Sequence, residues 1–146
     1  MKAVAFLTVL IAAMWLVPVS AMGAEKSYDR GTVWSIGMIQ TEANMQEQYL
    51  KDLGNVWAKI MEAAKEEGLI LSYKVIVGES ANPDDWDVLL LAEFKNYAAL
   101  DDTEDKWDLL IEKVLGGEDK QIEASLKREQ IRDSYGGKLM QEIIFK

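Results

Sequence analysis

Polar and hydrophobic positions alternate in the first part of the chain and then recur at helical spacing. The alternation from Thr32 to Gln40 predicts a first strand, because successive side chains of a strand point to opposite faces. Residues 45–67 place apolar side chains every three or four positions, which predicts one amphipathic helix. Its predicted limits are an N-cap at Asn44, with Glu47 as its capping-box partner, and a left-handed Gly68.

Two further apolar runs predict an antiparallel hairpin. Leu69 to Gly78 and Trp86 to Lys95 have strand character, and Asn82-Pro83-Asp84-Asp85 between them has the composition of a turn. The middle of the later strand, Val88 to Ala92, is apolar at every position, which is typical of a central strand covered on both faces.

The helical spacing returns after this hairpin. Asn96 is placed to cap a second helix that starts at Tyr97. An acidic stretch at 101–105 interrupts the pattern, which then resumes and stops at Gly116-Gly117. The resumed apolar positions are Trp107, Leu110, Ile111 and Val114.

Three predictions concern the ends of the domain. Residues 25–31 are expected to form a flexible lead-in, and residues 118–133 a charged surface helix or an arm that reaches a partner. Gly136-Gly137 is expected to turn the chain, and Leu139 to Phe145 alternates as a fourth strand.

The predicted order is therefore β-α-β-β-α-β, with an extra helix before the last strand, in a single domain over 32–146. This order predicts an α+β, ferredoxin-like fold with a four-stranded antiparallel sheet. Both faces of that sheet carry large apolar side chains, and a monomer seldom leaves such a face uncovered. We therefore expect a homodimer. The opposing sets are Leu90 and Phe94 against Leu89 and Leu91, and Ile143 and Phe145 against Met140 and Ile144.

The N-terminus predicts a secretory signal peptide over residues 1–23. Lys2 precedes an apolar run from Ala3 to Val17, and small residues after Pro18 allow cleavage after Ala21 or Gly23. A membrane anchor is the alternative, but the run is shorter than the roughly 20 residues that span a bilayer. We therefore expect a secreted or periplasmic protein with no stable membrane anchor after cleavage.

Composition excludes several chemistries. The chain has neither His nor Cys, which excludes a Ser-His-Asp triad, thiolate catalysis, disulfides and the usual zinc sites. Without Lys2, 15 basic residues oppose 25 acidic ones, giving a net charge of −10 that disfavours nucleic acid and serves solubility. We expect no cofactor.

The strand-to-helix junction at residues 89–100, LLLAEFKNYAAL, together with the element order, resembles the dimeric α/β-barrel superfamily. That resemblance implies two four-stranded sheets packed face to face in a homodimer, with helices outside. The superfamily includes stress-responsive barrel proteins, cofactor-free monooxygenases of the antibiotic-biosynthesis type, muconolactone isomerase-like proteins and haem-dependent relatives. This chain departs from the family pattern in its longer segment before the last strand. It also lacks the His that the haem-dependent members use.

Candidate binding residues come from the strands. Lys74 and Glu93 are expected to be cross-strand neighbours, and Glu142 on the fourth strand could join them inside a barrel or at its rim. They would orient a ligand in an apolar pocket, or else form a minor ion pair. Four tryptophans could line an aromatic pocket: Trp34, Trp57, Trp86 and Trp107. The position of Trp57 in the helical stripe favours a core role for it instead.

The two acidic runs of the chain do not predict a metal-binding site. The runs 84–87 and 101–108 lack the ligand spacing and central glycine of an EF-hand loop, so we expect a solvated turn and a favourable helix N-terminus. No metal site and no catalytic residue is predicted. Three functions stay open: a module that binds a small apolar molecule, a cofactor-free monooxygenase or isomerase, and a structural dimer without ligand.

Overall fold

The computed structural model of the chain describes residues 26–146, so the predicted signal peptide lies outside the described residues. Within them, no helix is long and apolar enough to cross a membrane. The elements in chain order are β1 Tyr28–Thr41, α1 Gln46–Asn55, α2 Trp57–Glu66, β2 Ser72–Val77, β3 Val88–Phe94, a short 3-10 turn Tyr97–Leu100, α3 Glu104–Leu115, α4 Glu118–Glu129 and β4 Arg132–Phe145.

The four strands form one antiparallel sheet in the order β2-β3-β1-β4. β1 is central, with Trp34 opposite Glu93 of β3 on one side and opposite Met140 of β4 on the other. The hairpin of β2 and β3 forms as predicted. This order, with all helices packed on one face, is the ferredoxin-like α+β arrangement, so the predicted fold class is confirmed.

The core lies between one face of the sheet and the helices. Two clusters of buried side chains fill it, and both take their sheet residues from the same face. Val33, Ala92 and Phe94 meet α2 and α3 in the larger cluster, whereas Ile39 and Val88 meet α1 in the smaller one. The opposite face of the sheet contributes nothing to either cluster.

The predicted single helix over 45–67 is wrong, because it is broken at Val56 (φ −122°, ψ −71°) into α1 and α2. Gly54-Asn55 directly precedes the break, and both residues are poor helix formers. The predicted cap is also wrong. Asn44 has φ 65° in a tight turn closed by the Met45 N–H and the Glu42 carbonyl, so its side chain does not cap α1.

Two predictions about strand ends are wrong as well. Part of the supposed flexible lead-in belongs to β1, since Tyr28 pairs with Phe145 and Arg30 with Ile143. Gly136-Gly137 does not turn the chain but lies within β4, where Gly136 has φ 88° and the register with β1 shifts. Such a shift is a β-bulge, and glycine suits it because a left-handed residue is needed there.

The second half of the chain follows the predicted caps more closely. The Asn96 side chain accepts a hydrogen bond from the Ala99 N–H at 3.0 Å, but it caps a single 3-10 turn instead of a full helix. Gly116 ends α3 with φ 80°, as predicted for Gly116-Gly117. The charged segment 118–133 forms the predicted helix as α4, which ends at Glu129.

Candidate functional site

A small apolar cavity lies between the sheet and the helices, and we call it the cleft. Its volume is about 240 Å³, and its walls come from β1, β3, α2 and α3. Trp57 and Met61 supply the α2 wall, Trp107 the α3 wall, and Phe94 part of the floor. The remaining lining residues are Ser35, Gly37, Leu90 and Ala92.

The local sequence explains why the cleft is open at this point. Ser35 and Gly37 are the small residues of β1 on the helix side, flanked there by the larger Val33 and Ile39. Short side chains in the middle of an otherwise filled face leave space under the helices. A cavity of this size, with apolar walls, suits a molecule of about one ring.

Trp107, one of the tryptophans predicted for an aromatic pocket, lines the cleft, and so does Trp57. The Trp57 ring packs edge-on against the Tyr73 ring of β2, with centroids 5.7 Å apart and planes at 83°. This T-shaped contact fixes the indole. Partial burial raises the pKa of the Tyr73 phenol, and the nearby Glu62 carboxylate adds to that rise.

The opposite side of the sheet, which we call the open face, carries four other candidate binding residues, Trp34, Lys74, Glu93 and Glu142. Its apolar members are Trp34, Ile36 and Met38 of β1, Ile76 of β2, Leu89 and Leu91 of β3, and Met140 and Ile144 of β4. The structure therefore separates Trp57 from Trp34, Lys74, Glu93 and Glu142 by the thickness of the sheet.

Lys74 and Glu93 share the open face as cross-strand neighbours, but in the diagonal position and not directly opposite one another. The register places Ser72 opposite Glu93, and Lys74 opposite Leu91. Lys74 extends over the Trp34 ring, with Nζ 5.1 Å from the ring centroid. That distance is within the range of a cation–π interaction, which replaces the predicted ion pair.

Glu93 is held by hydroxyl groups. The Ser72 hydroxyl donates to Oε2 at 2.5 Å and the Thr32 hydroxyl donates to Oε1 at 2.8 Å. Glu142 lies on the other side of Thr32, with Oε2 3.4 Å from the same hydroxyl oxygen. Thr32 has a single proton to donate, so the shorter contact to Glu93 is the stronger one. The two carboxylates thus flank Thr32 at one end of the open face.

The aspartates that follow β2 accept hydrogen bonds from groups of the protein itself. Asp87 accepts the Thr41 backbone N–H at 2.9 Å, the Gln46 amide at 3.1 Å and the Thr41 hydroxyl. Asp85 accepts the Ala81 N–H at 2.9 Å. In the part of the chain that the structure describes, no group of three or more acidic residues could hold a metal ion.

Arg128 is the residue that sequence reasoning missed. None of the sequence predictions singled it out, yet this charged side chain is only 7% exposed. Its position in the last turn of a charged helix gives no sign of burial, because basic residues are expected there on the surface. Arg132, four residues further along the chain, packs over the Tyr49 ring, with its guanidinium carbon Cζ 5.7 Å from the ring centroid.

No protein-family model and no curated protein matches this chain. Among solved structures, it is similar to a dimeric ferredoxin-like protein from an uncultured marine organism, with 14% identity over 81% of this chain and 90% of that one, and a TM-score of 0.47. It is also similar to a dimeric protein of unknown function and ferredoxin-like fold from Bacteroides fragilis NCTC 9343. The identity there is 15% over 80% of this chain and 97% of that one, with a TM-score of 0.39. Neither likeness carries information about a ligand or a reaction.

Proposed function

We propose that this protein binds a small apolar or aromatic molecule in the cleft. The observation that carries the proposal is the lining itself, in which two indoles, a phenyl ring and a thioether surround a cavity of about 240 Å³. Burial of a single aromatic ring against such walls is favourable because apolar surface leaves water. Ser35 could orient a polar substituent of the ligand.

Binding is better supported than catalysis. Lys74 and Glu93, which an enzyme of this kind would need in its cavity, lie on the open face and not in the cleft. Among the described residues that line the cleft, none is ionisable at neutral pH. A cleft built this way can hold and shield a molecule but has no group to transfer its protons.

We also propose a homodimer formed through the open face. Eight apolar side chains lie across four strands, a width of about 20 Å from the usual strand spacing. Ile76 and Met140 are 50% and 53% exposed in the single chain, although both are large and apolar. A second copy is the simplest cover for such a face.

Charge on the open face favours a second copy over an unrelated partner. Lys74 and Lys138 flank the row that contains Leu91 and Ile36, while Glu93 and Glu142 lie towards one end of the sheet. In a two-fold dimer each contact occurs twice, with the two residues exchanged. The lysines of one copy can therefore meet the glutamates of the other.

Residues 1–23 support the further proposal that the dimer works outside the cytoplasm, because they have the composition of a secretory signal peptide. A structural dimer without a ligand is the remaining alternative. It differs from the binding module in one measurable respect, since its cleft would take up no small molecule.

Fluorobenzene tests the binding proposal. It is titrated with the purified mature protein, and the chemical shift of its fluorine NMR signal is measured at each step. We expect saturable binding. Gly37→Ala should weaken it about tenfold, the usual effect of one methyl group in a small apolar pocket. The fold should be unaffected, because the new Cβ would meet the Leu90 Cβ at an ordinary 3.6 Å.

Gly54→Ala is the matched control. It adds the same methyl group in α1, where nothing lies within 4 Å, and should leave fluorobenzene binding unchanged. A wild-type protein that gives no saturable shift would contradict the binding proposal, as would equal affinity in the Gly37→Ala variant.

A further inference from the structure

Arg128 carries a buried charge that makes no direct ion pair with any of the described residues. Its Nε and Nη1 atoms are enclosed and have no hydrogen-bond acceptor within the part of the chain that the structure describes, and the same is true of Arg132 Nε. The ion pairs found among residues 26–146 include neither arginine. Buried charges are normally paired, because removing them from water is costly.

The surroundings of Arg128 increase that cost. Burial lowers the pKa of its guanidinium, and the positive charge of Arg132 lowers it further, while Tyr49 and Asp52 act in the opposite direction. The dipole of α4 favours a basic residue in its last turn, but the exposed Lys127 already serves that purpose. Helix electrostatics therefore explain a basic residue there and leave its burial unexplained.

Arg128 lines a cavity of about 300 Å³ between α1 and α4. Lys120, Lys127 and Asn55 also line it. Three basic residues of the lining oppose two acidic ones, Asp52 and Glu123, and Glu123 already pairs with Lys127 at 2.9 Å. The cavity is thus positively charged on a chain whose net charge is −9.

We propose that this cavity binds a small molecule through an oxyanion group, either a carboxylate or a phosphate. A guanidinium is a charge-assisted donor to both groups, and an anion beside it would supply the direct ion pair that Arg128 lacks. Lys120 adds a second positive charge to the lining. This site is separate from the cleft, which contains neither arginine nor lysine among its lining residues.

The test uses the mature protein and the side-chain Nε–H signals of its three arginines, Arg30, Arg128 and Arg132, in proton–nitrogen correlation spectra. Sodium acetate and sodium phosphate are titrated separately at constant ionic strength. We expect the Arg128 signal to move and saturate, while that of the exposed Arg30 stays in place. The salt that saturates at the lower concentration identifies the oxyanion. Shifts that stay linear in concentration, or that match those of Arg30, would overturn the proposal.

Variants separate the site from general charge effects. Arg128→Met should abolish the rise in melting temperature that the better anion gives to the wild type, and it should fold because it keeps an apolar stem and removes an unpaired charge. Lys120→Gln should weaken binding about two- to fivefold, the range expected for an exposed charge. Lys106→Gln changes the net charge equally but lies at another groove, and should have no effect.

A folded Arg128→Met variant that the anion stabilises as much as wild type would overturn the assignment. If that variant does not fold, Lys120→Gln with the Arg128 Nε–H signal decides in its place. A Lys120→Gln variant whose Arg128 signal saturates at the same anion concentration as in the wild type would then exclude the site.

Discussion

Tyr49 shows how a single buried side chain makes stability depend on pH. It is completely enclosed between α1 and the sheet, and the Arg132 guanidinium donates to its hydroxyl at 3.4 Å. Burial raises the pKa of the Tyr49 phenol above its ordinary value, and the nearby Arg132 offsets part of that rise. The folded protein therefore favours the neutral phenol.

The sign of the effect follows from proton counting. Above about pH 10, where an unfolded tyrosine ionises, the unfolded state binds fewer protons than the folded state. The free energy of unfolding should therefore fall as the pH rises past that value, and it should be unaffected by Tyr49 below it. Urea unfolding of the wild type and of Tyr49→Phe, compared at about pH 8 and about pH 11, measures this.

We expect the difference between the two proteins to shrink or reverse at the higher pH. Tyr97→Phe is the control, because Tyr97 is 46% exposed on the 3-10 turn. The same pH dependence in both variants would contradict a contribution from the buried phenol.

At the scale of elements, the pattern of apolar positions predicted which segments pair and which face each side chain takes. Trp34, Ile36 and Met38 do share one face of β1, as their alternation indicated. The pattern did not predict the break at Val56, because the helical spacing of apolar residues continues through Gly54-Asn55. It also could not show the burial of Arg128, which depends on how α4 packs on α1.

The bulge at Gly136 gives a prediction of its own. Residue 136 has φ 88°, a conformation that costs an ordinary L residue about 1–2 kcal/mol. Gly136→Ala should therefore lower the free energy of unfolding by at least ~1 kcal/mol, although nothing lies within 4 Å of the new Cβ. Asn tolerates this region, so Gly136→Asn should lose less. Urea unfolding measures both.

The control for that prediction is Gly54→Ala, which changes a glycine without positive φ in α1. It should raise stability by about 0.5–1 kcal/mol, because alanine restricts the unfolded chain and favours helix. Equal effects of alanine at positions 54 and 136 would mean that the bulge does not need its glycine.

At the scale of the whole molecule, the two faces of the sheet differ in how they are covered. The helices cover the face that contains Val33 and Phe94, and they leave the cleft where Ser35 and Gly37 are small. The open face has no cover among the described residues. A dimer through that face would place the two clefts on the outside of the joined sheets, where each stays accessible to its ligand.

This arrangement predicts that one charge on the open face prevents assembly without unfolding the chain. Met140 is opposite Trp34 and 53% exposed, so Met140→Glu costs the single chain little but would place a carboxylate inside the interface. Sedimentation should give the wild type twice the mass of its chain at micromolar concentration, and Met140→Glu the mass of one chain with an unchanged circular dichroism spectrum.

Leu109→Glu makes the same kind of change on α3, at a side chain 71% exposed, and should remain dimeric. A wild-type protein that sediments with the mass of a single chain would contradict the proposed homodimer. A Met140→Glu variant that still dimerises would move the interface to another surface, and a monomeric Leu109→Glu would point to α3 as that surface.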